Sequence, residues 1–417
     1  MISPICKRGF SDSDAIDAAL AQLGDDRTLY LPRRKAAEDP DRDWWLIDRA
    51  ILLPANTTLI IDDCTVKLSD RARDNFIRSA NCGMGLGGFD HLEHIYIRGV
   101  GGARLLGADH PRSTGDSEKQ NNCPCPHEAA DLLRLADWVS PERKAAGVTD
   151  FWDHHGHSYG TDALDPQASH VGDWRNIGIL LANVSHFSIE GLKIEQSHAW
   201  GISLEACAFG RVANIDFEAH MWRMIDGLKQ NIENQDGVDL RNGCHHILIE
   251  DITGHTGDDM VALTAICQHG FATGGAPGST HVMHEDWTQR ETGIHDVIIR
   301  RVTGSSHLCF LVRLLPCETV IENILIEDIT DTGPVRDYGP ALFLGEGDTA
   351  YGRNLPDSMR HIRIARVTAS GAHAVNILGH LTDADIADIT HHNPRFAPVN
   401  VARENGTVRV TLDGKPL

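Results

Sequence analysis

The sequence predicts an all-β protein that winds as a right-handed parallel β-helix with an N-terminal capping helix and long loop insertions. Short apolar motifs recur through the second half of the chain, and helical spacing of apolar residues is largely absent there. The chain has 417 residues, of which 41% are hydrophobic, whereas one compact core stops growing at roughly 250–300 residues. A solenoid extends its core in one direction, so we expect a single β-helical domain over residues 1–417.

The repeat is an apolar-x-x-apolar motif, whose leading residues are separated by 23, 37, 50, 27, 38 and 22 positions. The short separations define one coil, and the longer ones add a loop. The seven copies are Ile189-Glu-Gly-Leu192, Val212-Ala-Asn-Ile215, Ile249-Glu-Asp-Ile252, Ile299-Arg-Arg-Val302, Ile326-Glu-Asp-Ile329, Ile364-Ala-Arg-Val367 and Ile386-Ala-Asp-Ile389. Because stacked strands lie about 4.8 Å apart, we expect Ile249, Ile299 and Ile326 to form one internal ladder.

Segments that lack the apolar-x-x-apolar repeat predict the two ends of the β-helix and its loop insertions. Polar Ser11-Asp-Ser-Asp14 precedes apolar residues at helical spacing, which predicts a capping helix within residues 11–24. The segment Thr407-Val-Arg-Val-Thr-Leu412 predicts a closing strand. Residues 109–175 and 268–292 lack the repeat, and we expect them to be loops that line a cleft.

Composition excludes several partners. The formal charge of −21 argues against nucleic acid, since phosphate binding needs clustered Lys and Arg. No stretch is long and apolar enough to span a membrane, and the first residues lack a secretory signal, so we expect a cytoplasmic protein. The ten cysteines are expected to be mostly free thiols. Cys123-Pro-Cys125 with His127 is a weak metal signal, and we expect no metal and no cofactor; the oligomeric state is left open.

The densest acidic cluster contains Asp236, Asp239, Asp258 and Asp259. Aligning Gly237-Val-Asp-Leu240 with Met260-Val-Ala-Leu263 places Asp236 beside Asp259 of the next coil, with Asp258 adjacent. Carboxyls this close raise each other's pKa, which allows one to stay protonated as an acid while another is ionised as a base. Cleavage of a glycosidic bond needs such a pair.

These residues resemble the polygalacturonase-type glycoside hydrolases of family 28, within the pectin-lyase-like β-helix superfamily. That family carries Asn-x-Asp, Asp-Asp about twenty residues later, Gly-His-Gly and Arg-x-Lys on successive coils. Asn234-Gln-Asp236 and Asp258-Asp259 match the first two motifs. Ser306-His307-Leu308 keeps the histidine without its glycines. The Arg-x-Lys motif, which binds the carboxylate of a uronate substrate in the family, is absent from the following coil. Arg313 is the nearest candidate for its arginine.

The resemblance implies roles for individual residues. Asp258 would be the general acid, and Asp236 and Asp259 would activate a water molecule, which inverts the anomeric configuration. The expected residues for binding a carbohydrate substrate are Asn234, Asp239, His307, Arg313, Trp200 and Trp287.

Two other functions fit the same fold. A β-helical polysaccharide lyase abstracts a proton next to a uronate carboxylate with a Lys, Arg or His base, often with calcium; few Lys residues surround the acidic cluster. A non-catalytic β-helix that only binds glycans is the second alternative.

Overall fold

The computed structural model describes residues 1–70, 72, 74–82, 90–109, 176–225, 228–232, 234–266, 292–307, 309–346, 353–402 and 409–417. Within these residues, one sheet has sixteen strands, a second has ten, and two further strands form an antiparallel hairpin. Strands of successive coils pair in parallel in both large sheets. Since crossovers between parallel strands are right-handed, the chain is the right-handed parallel β-helix that the repeats predict.

The helix α1 spans Asp12–Leu20. The sixteen-stranded sheet contains β1 (Thr28–Leu31), β2 (Trp45–Ile47), β4 (Thr57–Asp62), β5 (Thr65–Leu68), β7 (Leu92–Glu93), β8 (Ile95–Val100), β9 (Arg104–Leu106), β11 (Val184–Glu195), β13 (Ala208–Glu218), β17 (His245–Thr256), β19 (Ile294–Ser306), β21 (Ile321–Asp331), β23 (Met359–Ala369), β25 (Asp383–His391), β27 (Arg409–Leu412) and β28 (Lys415–Pro416). The ten-stranded sheet contains β3 (Ile51–Leu53), β6 (Ile77–Ser79), β10 (Ile179–Ala182), β12 (Ile202–Glu205), β16 (Val238–Leu240), β18 (Val261–Ile266), β20 (Val312–Cys317), β22 (Leu342–Leu344), β24 (Val375–Ile377) and β26 (Val399–Val401). The hairpin contains β14 (Trp222–Ile225) and β15 (Leu228–Asn231).

The apolar-x-x-apolar motif marks a bend inside each long strand. In β17, Ile249 and Ile252 are both fully buried although they lie three residues apart, whereas a straight strand would send them to opposite faces. The cause is Asp251, whose φ of 56° lies in the left-handed region and shifts the alternation by one residue. Asn and Asp tolerate this conformation best. Equivalent bends occur at Asn214, Asp328 and Asp388.

Two arginines occupy the same bend and bind the carboxylates of the preceding coils. Arg301 Nε lies 2.6 Å from Asp251 Oδ1, and Arg366 Nε lies 2.6 Å from Asp328 Oδ1. These hydrogen bonds lower the pKa of Asp251 and of Asp328. The charges therefore alternate in sign along this edge, which favours the observed stacking of the coils over a shifted one.

The core is a column of stacked apolar ladders, as predicted. Ile249 pairs with Ile299, and Ile299 pairs with Ile326; all three are fully buried. At the N-terminal end, Ile16 of α1 joins the same core. Ser11 caps α1, since its Oγ accepts a hydrogen bond from the Asp14 amide at 3.1 Å. The predicted capping helix is thus confirmed.

Some predictions concern residues outside the described ranges. The insertions at 109–175 and 268–292 lie almost entirely there, as do Cys123, Cys125, His127 and Trp287. The cysteines that the structure describes are free thiols. No helix among the described residues is long and apolar enough to cross a membrane.

We expect Ile326→Ala to lower the free energy of unfolding by about 2–5 kcal/mol, because it removes buried methyl groups and leaves a cavity in the ladder. Chemical denaturation measures the change. The matched control is Ile298→Ala, since Ile298 is 38% exposed and its truncation should change stability by no more than about 0.5 kcal/mol. Equal effects of the two substitutions would contradict this assignment of inner and outer faces.

Candidate active site

The candidate site lies on the outer face of the ten-stranded sheet. In β16, Val238 and Leu240 are buried in the core, so Asp239 between them points away from it. Strand pairing extends this outward row in both directions. Its members from β12 to β22 are Ser203, Asp239, Ala262, Arg313 and Phe343.

A second column runs along the turns that precede these strands. Its residues are joined by backbone hydrogen bonds between coils, such as the 2.8 Å bond from the Gly237 amide to the Asp259 carbonyl. The coils approach so closely that a Cβ on Gly237 would lie 2.3 Å from the Met260 carbonyl oxygen, which explains the glycine. The column consists of Trp200, Asp236, Asp259 and Phe310.

The predicted alignment of Asp236 with Asp259 is confirmed by the pairing of Val238 with Val261. Asp258 lies beside them, and an oxygen of Asp258 is within 4.8 Å of an oxygen of Asp259. Asp258 is partly exposed, whereas Asp236 is 7% and Asp259 2% exposed. The structure thus brings together the three carboxyls that the sequence singled out.

Backbone contacts of Gln235 hold the two acidic motifs together. Its carbonyl accepts hydrogen bonds from the Gly257 amide at 3.1 Å and from the Asp258 amide at 3.3 Å. Its side chain donates to the Ser197 carbonyl at 2.6 Å. Asn234, with a φ of 53°, turns the chain into this arrangement and is half-buried. The Asn-Gln-Asp motif therefore positions the carboxyls as well as supplying one.

Burial makes the negative charge in this cluster costly. It raises the pKa of Asp236 well above its ordinary value, and the carboxylates of Asp258 and Asp239 raise it further. Burial also raises the pKa of Asp239 well above the ordinary range. Asp236 Oδ1 and Asp239 Oδ2 have no hydrogen-bond partner among the described residues. Since an unpaired buried carboxylate is unfavourable, the cluster retains protons at a pH where a free carboxyl would release them.

Asp259 has a cationic partner and an amide partner that favour its charged form, as Arg241 favours the charged form of Asp239. Arg313 Nη1 lies 3.5 Å from Asp259 Oδ2, and the Phe310 amide donates to Asp259 Oδ1 at 3.1 Å. Burial raises the pKa of Asp259 to about 7, although Arg313 and the amide favour the charged form. This carboxyl therefore changes its charge near neutral pH.

Arg313 binds carboxylates of the protein itself. Besides Asp259, it forms an ion pair with Glu346, and these two charges keep its pKa above the ordinary value despite burial. Its guanidinium carbon also lies 5.9 Å from the centre of the Phe310 ring. Sequence reasoning expected Arg313 to contact substrate; the structure pairs it with acidic side chains beside the candidate site.

Three further residues, His307, Trp200 and Trp287, were predicted to bind substrate. His307 is half-buried, and its amide donates to the Thr256 carbonyl at 2.9 Å, which places it one coil above the start of the Asp-Asp motif. Trp200 packs on a small apolar cluster at the outer face of the sheet, and the Arg241 guanidinium carbon lies 4.5 Å from its ring centre. Trp287 lies outside the described residues.

Sequence reasoning missed two residues that contact the cluster, Phe310 and Cys309. Phe310 follows Asp259 in the column and stacks in parallel on Phe343, with ring centres 4.4 Å apart. Cys309 Sγ lies within 4.8 Å of carboxylate oxygens of Asp258 and Asp259, and burial raises the pKa of its thiol. Only the alignment of β18 with β20 could have found Phe310, because the coil between them carries a long insertion.

The backbone is similar to those of solved β-helical proteins. At 12% identity, it matches an endo-xylogalacturonan hydrolase from Aspergillus tubingensis over 99% of this chain and 91% of that one, with a TM-score of 0.56. A polygalacturonase from Erwinia carotovora ssp. carotovora matches at 12% identity over 98% and 96%, with a TM-score of 0.52. A mutant tailspike protein of E. coli bacteriophage HK620, in complex with a pentasaccharide, matches at 12% identity over 99% of this chain and 58% of the tailspike, with a TM-score of 0.51.

These similarities confirm the predicted likeness to polygalacturonases at the level of the fold. No protein-family model matches the chain, and no curated protein matches it either.

We expect Asp259→Asn to reduce the loss of stability that the wild type shows on raising the pH, to which Asp236 and Asp239 also contribute. The pKa of Asp259 rises from 3.8 in the unfolded chain to about 7 in the folded one. The folded state therefore binds the extra proton between about pH 4 and pH 7, so its stabilisation is complete below pH 4 and lost as the pH rises through 7. The difference should amount to about 2–4 kcal/mol, measured by denaturation at pH 4 and pH 8.

The matched control for this pH effect is Asp251→Asn. Because the pKa of Asp251 is lowered in the folded state, its contribution to stability is present above pH 4 and lost only as the pH falls below it. The Asp251→Asn variant should therefore follow the wild type between pH 4 and pH 8. An Asp259→Asn variant with the same pH dependence as the wild type would contradict a raised pKa at Asp259.

Proposed function

We propose that the protein is a glycoside hydrolase that cleaves a glycosidic bond in an oligo- or polysaccharide with inversion of configuration. The observation that carries this proposal is the convergence of Asp236, Asp258 and Asp259 on the outer face of the ten-stranded sheet, between Trp200 and Phe310. The carboxyls supply acid and base, and the flanking aromatic rings offer surfaces on which sugar rings stack.

Asp258 is the proposed general acid because a substrate can reach it. Asp236 and Asp259 are almost fully buried, whereas Asp258 is partly exposed and so is able to touch a bulky glycosidic oxygen. The raised pKa values of Asp236 and Asp259 keep protons in the cluster near neutral pH, and oxygens of Asp258 and Asp259 lie within 4.8 Å of each other. The proton that leaves Asp258 goes to the leaving-group oxygen as the glycosidic bond breaks.

Asp236 and Asp259 are the proposed bases for water. A water molecule is small enough to reach carboxyls that a sugar cannot touch, and the ionised form of Asp259 is favoured by Arg313 and the Phe310 amide. The base takes one proton from the water as its oxygen bonds to the anomeric carbon, on the face opposite the departing group. The cycle closes when that proton returns to Asp258 through solvent.

The charges of the site favour a neutral glycan over a uronate polymer. Arg313, the nearest match to the uronate-binding arginine of family 28, is engaged by Asp259 and Glu346. Among the described residues, the surroundings of the cluster are thus acidic. Asn234 and His307 are proposed to hydrogen-bond sugar hydroxyls, and Trp200 to border a subsite. Asp239 was expected to bind substrate, but it is only 1% exposed and, like Asp236 and Asp259, is out of reach of a sugar.

A lyase is the less favoured alternative. Its base would have to be a Lys, Arg or His aimed at a uronate, and Arg313 is held by two carboxylates. Incubation with neutral and uronate-containing oligosaccharides, followed by mass analysis, separates the two reactions. Hydrolysis adds one water to the summed product mass, whereas a lyase adds none and leaves an unsaturated product that absorbs in the near ultraviolet.

We expect Asp258→Asn to lower turnover of a natural glycoside by roughly 10²–10⁴-fold, because it removes the proton donor and keeps the shape. Glycosides with good leaving groups need less protonation and should lose less activity. The matched control is Asp216→Asn, which changes an exposed aspartate on β13 and should leave turnover unchanged. Full activity of Asp258→Asn would exclude this residue as the acid, and binding without turnover in the wild type would indicate a glycan-binding protein.

We expect Asp236→Asn and Asp259→Asn to be slow on every substrate, because attack by water is required whichever group leaves. Proton NMR of the first-formed anomer should show inversion, because acid and base act on opposite faces of the sugar. This test is needed because oxygens of Asp258 and Asp259 lie within 4.8 Å of each other, closer than the roughly 6.5–9.5 Å usual for an inverting pair. Retention of configuration would instead indicate a covalent intermediate and would overturn the water-activating role.

A further inference from the structure

We propose that His245, His246 and His295 bind a divalent metal ion of the zinc type on the outer surface of the sixteen-stranded sheet. One ring nitrogen from each histidine lies within 4.8 Å of those of the other two. This histidine cluster is carried by β17 and β19, and so lies on a different sheet from the carboxyls of the candidate active site.

The β-helical fold creates the cluster by two separate devices. His245 pairs with His295 across successive coils, so their rings stack with centres 4.9 Å apart and planes 4° apart. His246 has a φ of 54°, which interrupts the alternation of the strand and turns its ring toward the same side. Its ring centre lies 5.1 Å from that of His245 and 5.8 Å from that of His295.

The donor set suits zinc better than calcium or magnesium. Neutral imidazole nitrogens are preferred ligands of Zn²⁺, Cu²⁺ and Ni²⁺, whereas Ca²⁺ and Mg²⁺ need oxygen ligands. Three histidines leave one position of a tetrahedral zinc for water. Half-burial of His245 and His295 reduces the number of rotamers that must be fixed when the ion binds.

Asp296 lies against two of the three rings. Its Oδ2 lies 2.7 Å from Nδ1 of His295 and 3.7 Å from Nε2 of His246. The side-chain amide of Asn323 donates a hydrogen bond to the other oxygen of Asp296, Oδ1, at 3.3 Å. A carboxylate hydrogen-bonded to a ligating histidine fixes its tautomer and makes it a stronger ligand. It also offsets part of the charge of a divalent ion.

Binding requires at least one ring to turn, because the parallel rings of His245 and His295, with centres 4.9 Å apart and planes 4° apart, cannot both direct an in-plane nitrogen at the same ion. Nδ1 of His245 and Nδ1 of His246 are 2.8 Å apart and share a hydrogen bond. Two nitrogens bound to tetrahedral zinc at about 2.0–2.1 Å are roughly 3.3 Å apart, so the two rings must separate by about half an ångström. The hydrogen bond is then exchanged for two metal bonds within β17, and the bond from the ion to His295 joins β17 to β19.

The alternative is that these rings only stack. His186 stacks on Phe209, and Phe209 lies against His246, so rings also form a column at this edge of the sheet. His186 is the matched control for that alternative, because it has the same left-handed backbone, with a φ of 55°, and belongs to the ring column but not to the histidine cluster.

Isothermal titration with ZnCl₂ of the whole chain, freed of metal by EDTA, tests the proposal. We expect one saturable site and a rise in Tm on adding zinc. His246→Asn, which suits the left-handed backbone, and His295→Gln should each weaken binding by at least about tenfold, and Asp296→Asn by roughly tenfold. His186→Asn should bind zinc like the wild type. Tm in EDTA shows whether each variant folds.

The chain also contains cysteines that could bind zinc, among them Cys123, Cys125 and Cys309. Cobalt distinguishes cysteine ligands from histidine ligands by its absorption spectrum. A Co²⁺ complex of the histidine cluster should lack the thiolate charge-transfer band in the near ultraviolet. The proposal is overturned if no zinc is taken up, if His246→Asn and His295→Gln bind zinc like the wild type, or if a thiolate band appears and zinc binding is lost in a Cys123→Ser, Cys125→Ser variant.

Discussion

The stacking of one apolar ladder on the next is the constraint on which the rest of the molecule depends. Each coil pairs with its neighbours along both large sheets, and Ile249, Ile299 and Ile326 meet inside because a shift of one residue would expose them. Once the inward positions are fixed, the outward ones follow. Asp239 and Arg313 share one outer row, and Asp236 and Asp259 share the turn before it, since their coils have no alternative register.

The same constraint explains how the protein tolerates a costly acidic cluster. Three carboxyls lie largely buried beside one another, and their raised pKa values show that the fold disfavours their ionisation. The parallel sheet and the buried core beneath it hold them there regardless. Arg313 lowers this cost for all three carboxyls, Arg241 lowers it for Asp239, and the Phe310 amide lowers it for Asp259. A site that must hold a proton near neutral pH requires this balance between burial and partial compensation.

The left-handed bends give the long strands a second function. Asp251 and Arg301 occupy equivalent bends in successive coils. Each turns the next apolar side chain of its strand toward the core, and their opposite charges attract each other. At the edge where β17 begins, the left-handed residue His246 places its ring beside His245. Loss of strict alternation thus brings adjacent side chains to one face, which a straight strand does not allow.

The sequence by itself determined the winding of the chain, the inner ladder, the N-terminal helix and the pairing of Asp236 with Asp259, because all of these depend on short-range periodicity. It could not determine which outward residues meet when a long insertion separates their strands. Phe310 therefore escaped notice, Arg313 was expected to contact substrate before its pairing with Glu346 was known, and His245 was not connected with His295. Those contacts are decided by tertiary structure, since stacking brings together residues about fifty positions apart, and burial together with the neighbouring charges sets the protonation of each carboxyl.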